Sequence, residues 1–184
     1  MTQLIQKNGL MALLGLWAAT SCHPRDGRPA TRQHELMHTS FEELVGWASE
    51  LPPTLTRVKT HTGKYAMRVD PEHPYSFTYR TTLGALCAHR PRRLTIGAWA
   101  WVPGFQDNAV LVVVFNNPCD PDHPLLTKYL YLNDSSPFGQ WKYVSRDLDL
   151  PAGIHANTQL VIYLWKVNAN EPVYIDDLRL TELW

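Results

Sequence analysis

Val173-Tyr174-Ile175-Asp176-Asp177-Leu178-Arg179-Leu180 sets two adjacent carboxylates inside an otherwise apolar, alternating stretch near the C-terminus. Side chains of a strand alternate between its faces, so Asp176 falls in phase with Tyr174, Leu178 and Leu180, and Asp177 with Val173 and Ile175. At least one carboxylate is then aimed at apolar surroundings. Burying an ionised carboxylate is costly unless it is paired, hydrogen-bonded or bound to a cation, so the stretch predicts a partner for it. A bulge that turns both aspartates to solvent is the alternative.

Working outward from this strand, similar runs recur at short intervals: 41–44, 57–60, 64–70, 75–83, 93–102, 109–116, 129–133, 141–148 and 158–166, with the last run extending over 173–183. They are rich in Val, Thr, Tyr and Trp and are separated by Pro, Gly, Asn or Asp, the composition of strands and their turns. No segment shows a sustained helical period. The expectation is an all-β, two-sheet antiparallel jelly-roll sandwich spanning residues 40–184 as one domain. Ala109–Phe115 is apolar on both faces and belongs at the centre of a sheet. In Arg93–Val102, Leu94, Ile96, Ala98, Ala100 and Val102 form a core face, leaving Thr95, Gly97, Trp99 and Trp101 on the other. Leu160, Ile162 and Leu164 likewise stand opposite Val161, Tyr163 and Trp165.

The N-terminus reads as a leader. Lys7 supplies a positive start, Leu10–Trp17 is apolar, and small residues Ala18-Ala19-Thr20-Ser21 precede Cys22. The run is too short to span a bilayer, which takes about 20 apolar residues. Small residues directly before a cysteine resemble the lipobox of bacterial lipoproteins, which implies a signal peptide over 1–21, lipidation of Cys22, and an exported protein anchored in the cell envelope through that lipid alone. Residues 22–39 read as a polar tether. Loss of the leader takes Lys7 from 17 basic residues and nothing from the 17 acidic ones, a balance that suggests neither nucleic acid nor an anionic membrane surface as partner. Cys87 and Cys119 remain, and an oxidising compartment leaves both a disulfide and two free thiols open.

Several segments together resemble the carbohydrate-binding modules with the galactose-binding-like β-sandwich: Ser40-Phe41-Glu42-Glu43, Thr60–Val69 with its Gly63-Lys64-Tyr65, Ala98–Val102, Trp141-Lys142-Tyr143, Val161–Trp165, and Tyr174–Leu178. The resemblance implies a non-catalytic domain that binds glycan, with a structural calcium ion held by Glu42 or Glu43, backbone oxygens around Gly63, and Asp176 or Asp177. Calcium is a hard cation that takes roughly six to eight oxygen ligands, so these acids are chemically suitable. Neutralisation by Lys64 or Arg179 is the alternative. Sugar recognition needs a flat aromatic ring against the apolar face of a pyranose, with polar groups at the rim. Trp99, Trp101, Tyr163 and Trp165 offer rings, and Arg80, Arg93, Thr95 and Gln159 offer a rim; Trp47, Phe105, Tyr129 and Phe138 are further rings in loop-like segments.

Catalytic signatures are missing. The eight histidines, His23, His34, His38, His61, His73, His89, His123 and His155, show no His-x-His or His-Glu-x-x-His spacing, and no Gly-x-Ser-x-Gly elbow appears. Asp120-Pro121-Asp122 and Asp147-Leu148-Asp149 read as turn and surface acids. The expectation is therefore a lipoprotein that binds glycan without cleaving it, or a structural adaptor that meets another envelope protein through the same sandwich.

Overall fold

Alternating apolar residues give the chain two faces per strand, and the strands bury one of them by stacking as two antiparallel sheets. The computed structural model describes residues 32–45, 51–120 and 122–184. Its elements are β1 (Gln33–Thr39), a 3₁₀ turn (Glu42–Leu44), β2 (Leu55–Thr56), β3 (Ala66–Val69), β4 (Tyr79–Thr82), α1 (Leu83–Leu86), β5 (Arg93–Trp101), β6 (Ala109–Asn116), β7 (Leu126–Tyr131), β8 (Trp141–Asp149), β9 (Gln159–Lys166) and β10 (Val173–Leu183). One sheet runs β2-β3-β10-β5-β8 with β1 also on β10, and the other runs β4-β9-β6-β7. This is the sandwich that the alternation predicts. The core between the sheets takes Leu94, Ile96, Ala98 and Ala100 from β5 and Leu111, Val113 and Phe115 from β6, all at most 1% exposed.

Three expectations fail for local reasons. Residues 33–39, read as tether, form β1, which pairs from Gln33↔Leu183 to Thr39↔Leu178 and so covers an edge of β10. Residues 42–44 form a 3₁₀ turn instead of a strand, because the Thr39 hydroxyl accepts the Phe41 N–H at 2.9 Å and Phe41 takes a left-handed conformation (φ 66°) that turns the chain off β1. Residues 57–60 do not pair as a strand; they cross the outer face of the six-stranded sheet, where Lys59 and His61 lie on aromatic rings.

The acidic pair of β10 is also resolved differently from simple alternation. Asp176 pairs with Trp99 and Arg179 with Gly97, so Asp177 and Leu178 together oppose a single residue of β5. That extra residue is a β-bulge, with Asp177 in the left-handed region (φ 48°), a conformation that aspartate tolerates better than most residues. The bulge breaks the phase: Leu178 and Leu180 join Val173 and Ile175 in the core. Asp176 stays on the outer side with Trp99, yet it is 0% exposed and Asp177 is 5% exposed. Neither carboxylate faces solvent, because the 57–65 segment covers them from outside.

Partners for Asp176 come from that cover. Its Oδ2 accepts the backbone N–H of His61 (2.8 Å) and of Thr62 (3.0 Å), and its Oδ1 accepts the N–H of Asp177 (2.7 Å). Replacing this carboxylate by an amide turns a donor toward donors. Asp176→Asn is expected to lower unfolding free energy by about 2–3 kcal/mol, the cost of buried N–H groups left unpaired. Urea denaturation measures it, and a midpoint equal to that of the parent would show that the network contributes nothing.

Candidate functional site

The rings singled out from the sequence fall on opposite sides of the sandwich. Trp99 and Trp101 stand on the outer face of the six-stranded sheet beside Trp141 and Tyr143 of β8, since β5 and β8 pair Trp99↔Tyr143 and Trp101↔Trp141. These rings are already engaged. The His61 ring stacks on Trp99 (centroids 4.0 Å apart, planes 14° apart), and Lys59 Nζ lies 3.6 Å from the centre of the Trp101 ring. Tyr143 meets Trp99 edge-on at 5.8 Å and lies over Gly97, where a side chain's Cβ would come within 2.7 Å of the tyrosine Cζ. Arg93 sits at the far end of this face in an exposed ion pair with Asp149 (2.7 Å), a surface interaction of small energetic weight. Trp99, Trp101 and Arg93 therefore do not join Tyr163, Trp165 and Arg80 in one site.

Beneath the covering segment lie the acids expected to hold calcium. Glu42 Oε1 accepts the N–H of Lys64 (2.6 Å) and of Tyr65 (2.8 Å), so the turn at Gly63 is gripped by Glu42 on one side and Asp176 on the other. Gly63 has φ 59°, and a Cβ there would sit 2.9 Å from the Glu42 Cδ, so the grip needs glycine. His61 Nδ1 is 2.6 Å from Asp177 Oδ2, the Thr62 hydroxyl donates to Asp177 Oδ1 at 2.8 Å, and His38 Nε2 stands 3.5 Å from the same oxygen. Glu43 turns away to accept the Thr39 hydroxyl.

The two aspartates respond in opposite directions. Burial, reinforced by the Asp177 charge, outweighs three backbone N–H groups and holds the Asp176 carboxyl above the ordinary carboxylate range. Burial also pushes Asp177 up, but hydrogen bonds from His61, Thr62 and His38 more than offset it and leave that carboxyl below the range. The groups turned toward Glu42 and Asp176 are N–H donors, whereas calcium takes oxygen ligands. Among the described residues, no three His, Cys, Asp or Glu side chains converge as a metal cage. As folded, these acids are arranged as hydrogen-bond acceptors and not as a calcium cage: amide N–H groups hold Glu42 Oε1 and both Asp176 oxygens, and imidazoles with a hydroxyl hold Asp177.

Cys87 and Cys119 are both free thiols in this structure. The Cys87 thiol is engaged within its own loop, 3.2 Å from the His89 carbonyl and 3.5 Å from that of Leu83, while Cys119 is exposed in the turn after β6. Burial, then the charge of Glu182, pushes the Cys87 thiol up. Cys22 and Trp47 lie outside the described residues.

The outer face of the four-stranded sheet is different. Strand pairing aligns its side chains in transverse rows, successive rows being about 7 Å apart along the strands. The first row is Tyr75, Trp165, Val110 and Tyr131, and the second is Tyr163, Val112 and Tyr129. Arg80, Val161, Val114 and Thr127 form a third, and Thr82, Gln159 and Asn116 a fourth. Val110 and Val112 are 1% exposed, whereas Tyr75, Tyr129 and Tyr131 are 57%, 40% and 39% exposed, so rings stand over a covered valine floor. Tyr75 and Trp165 lie nearly parallel (8°, centroids 6.2 Å apart). Burial, followed by the neighbouring Tyr129 and Tyr75, pushes the Tyr163 phenol up, which keeps its O–H as a donor.

Tyr163, Trp165 and Arg80 are thus brought together, and Tyr129 joins them. Sequence reading missed Tyr75 and Tyr131. Their signal was available in the doubly apolar β6, whose outer side must be covered by something; neighbouring strands supply tyrosines for this.

No family model and no curated protein sequence matches the chain. Solved structures do match. The N-terminal CBM22-1–CBM22-2 tandem domain of Paenibacillus barcinonensis Xyn10C aligns over 82% of this chain and 50% of its own, at 17% identity and TM-score 0.56, so the chain spans about half its length. The CBM22-1 xylan-binding domain of the same protein aligns over 84% of this chain and 97% of its own (17% identity, TM-score 0.51). The C-terminal family 22 carbohydrate-binding module of Clostridium thermocellum Xyn10B aligns over 80% and 92% (12% identity, TM-score 0.52). The fold is that of carbohydrate-binding modules, as the sequence resemblance implied.

Because N–H groups already hold Glu42 Oε1 and Asp176 Oδ2 at the Gly63 turn, thermal unfolding is expected to be indifferent to added calcium and to chelator. A melting temperature that rises with calcium and falls with chelator would show that the turn reorganises around the ion.

Proposed function

We propose that the protein binds a neutral polysaccharide chain on the outer face of the four-stranded sheet and does not cleave it. The observation that carries this is the double row of rings, exposed Tyr75 and Tyr131 with half-buried Trp165, then half-buried Tyr163 with exposed Tyr129, over the covered valines of β6. Such rings offer apolar planes to pyranose faces, while Arg80, Thr82, Asn116 and Gln159 at one end supply hydroxyl partners. Glycoside hydrolysis uses two carboxyl groups flanking the scissile bond, and the side chains of these rows are rings, valines, hydroxyls, amides and one guanidinium. Binding without hydrolysis is the reading that this chemistry supports. The xylan-binding domain among the similar structures makes xylan the first polymer to try.

Retention on insoluble or gel-embedded xylan tests the reading. Trp165→Ala, which removes one half-buried ring, is expected to weaken retention by about tenfold, a typical loss for an aromatic anchor. Trp99→Phe, on the opposite face, is expected to leave it unchanged. Equal retention of parent and Trp165→Ala, or none by the parent on any neutral polysaccharide, contradicts the assignment and favours a protein partner on this face.

The leader and Cys22 complete the proposed setting: an exported lipoprotein held in the cell envelope by its N-terminal lipid. Radiolabelled palmitate is expected to enter the parent chain in a bacterial host and to be absent from Cys22→Ser. Equal labelling of both would place the anchor elsewhere.

A further inference from the structure

A second cluster lies at the end of the sandwich, on the inner side of β10 and away from the ringed sheet. Glu182 follows Leu178 and Leu180 in phase, so its side chain points inward, and it is only 3% exposed. His89, reaching in from the segment after α1, places Nε2 2.8 Å from Glu182 Oε1. The other oxygen, Oε2, is buried without a hydrogen-bond partner among the described residues. A buried carboxyl oxygen left unpaired calls for a donor, which a water or a ligand hydroxyl supplies.

Glu182 also lines a hollow of about 420 Å³, together with His89, Arg90, Arg92, Leu183 and Trp184. The rest of its lining indicates what that donor belongs to. The Trp184 ring is 54% exposed and is met edge-on by His89 at 6.2 Å, which leaves an aromatic surface at the mouth. Arg90 donates to the Pro151 carbonyl at 3.2 Å, whereas Arg92 has no acidic partner among the described residues. Two guanidinium groups therefore flank a ring and a buried acceptor. A free anion satisfies the arginines but offers nothing to Glu182, and a neutral sugar satisfies the ring and the acceptor but not the arginines.

We infer that this hollow is a second saccharide site, specific for a sugar bearing an anionic substituent. The anionic group meets Arg92 and Arg90, the apolar sugar face lies on Trp184, and a sugar hydroxyl donates to Glu182 Oε2 as the exposed His89 ring gives way. The site is independent of the sheet-face assignment, and it extends recognition from a neutral backbone to charged decorations or to a separate acidic polymer. Carboxylate and sulfate share the chemistry that Arg92 reads, so both substituents are tested.

Calorimetric titration of the full-length chain with an oligogalacturonate and with a sulfated oligosaccharide, beside neutral xylohexaose, decides the matter. Binding of at least one acidic ligand is expected, and which one binds identifies the substituent. Arg92→Ala and Trp184→Ala, both at exposed positions, are each expected to weaken it by about tenfold or more, the loss of one charge-assisted or stacking contact, with the xylohexaose titration unchanged. Glu182→Gln, checked for folding by near-ultraviolet circular dichroism, is expected to weaken it as well. No acidic ligand binding, or acidic binding that survives Arg92→Ala and Trp184→Ala but is lost in Trp165→Ala, overturns the site. In the latter case the sheet face alone accounts for recognition.

Discussion

The grip of two carboxylates on one turn organises the outside of the sandwich. Glu42 holds the N–H groups of Lys64 and Tyr65, and Asp176 holds those of His61 and Thr62, so the turn at Gly63 is fixed from both sides. A segment fixed in this way lies across the outer face of the six-stranded sheet and sets His61 on Trp99 and Lys59 on Trp101. The chain thus covers that face in part, over Trp99 and Trp101, while Tyr143 beside them stays 48% exposed. On the opposite face Tyr75, Tyr129 and Tyr131 stand exposed, and the cover over Trp99 and Trp101 follows from where the buried acids find their donors.

The bulge at Asp177 makes this geometry possible. Without an extra residue, regular alternation sends Asp177 and Arg179 inward with Val173 and Ile175, a costly placement for two charged groups. With it, Leu178 and Leu180 take the inward positions, and Asp176 turns out beneath the 57–65 segment, where amide donors are available. Burial still raises the Asp176 carboxyl, which shows that the donors only partly offset desolvation, whereas Asp177, held by two imidazoles and a hydroxyl, is stabilised as the anion.

Much of this was readable from residue pattern, and the failures have definite physical origins. Alternation in Arg93–Val102 and the doubly apolar Ala109–Phe115 located the central strands and the sandwich, because period-two burial is a local signal. The demand of Asp176 or Asp177 for a partner was legible too, and the family resemblance placed that partner near Gly63. The identity of that partner was not, since backbone N–H groups carry no sequence signature. Alternation also separated Trp99 and Trp101 from their aliphatic neighbours, yet it could not say that they and Tyr163 stand on different sheets, because strand order is a non-local property. β1 was hidden by its polar composition: it pairs at an edge of β10 with much of its surface exposed, so burial left little imprint on residues 33–39.

Glycan recognition at the ringed sheet is the central claim, and amide and indole chemical-shift mapping of the isotope-labelled protein with xylohexaose tests it most directly. The account predicts perturbations confined to Tyr75, Val110–Val114, Tyr129–Tyr131 and Val161–Trp165, with the Trp165 indole moving most. Perturbations centred on Trp99, Trp101 and His61 would place the ligand on the six-stranded sheet and contradict it.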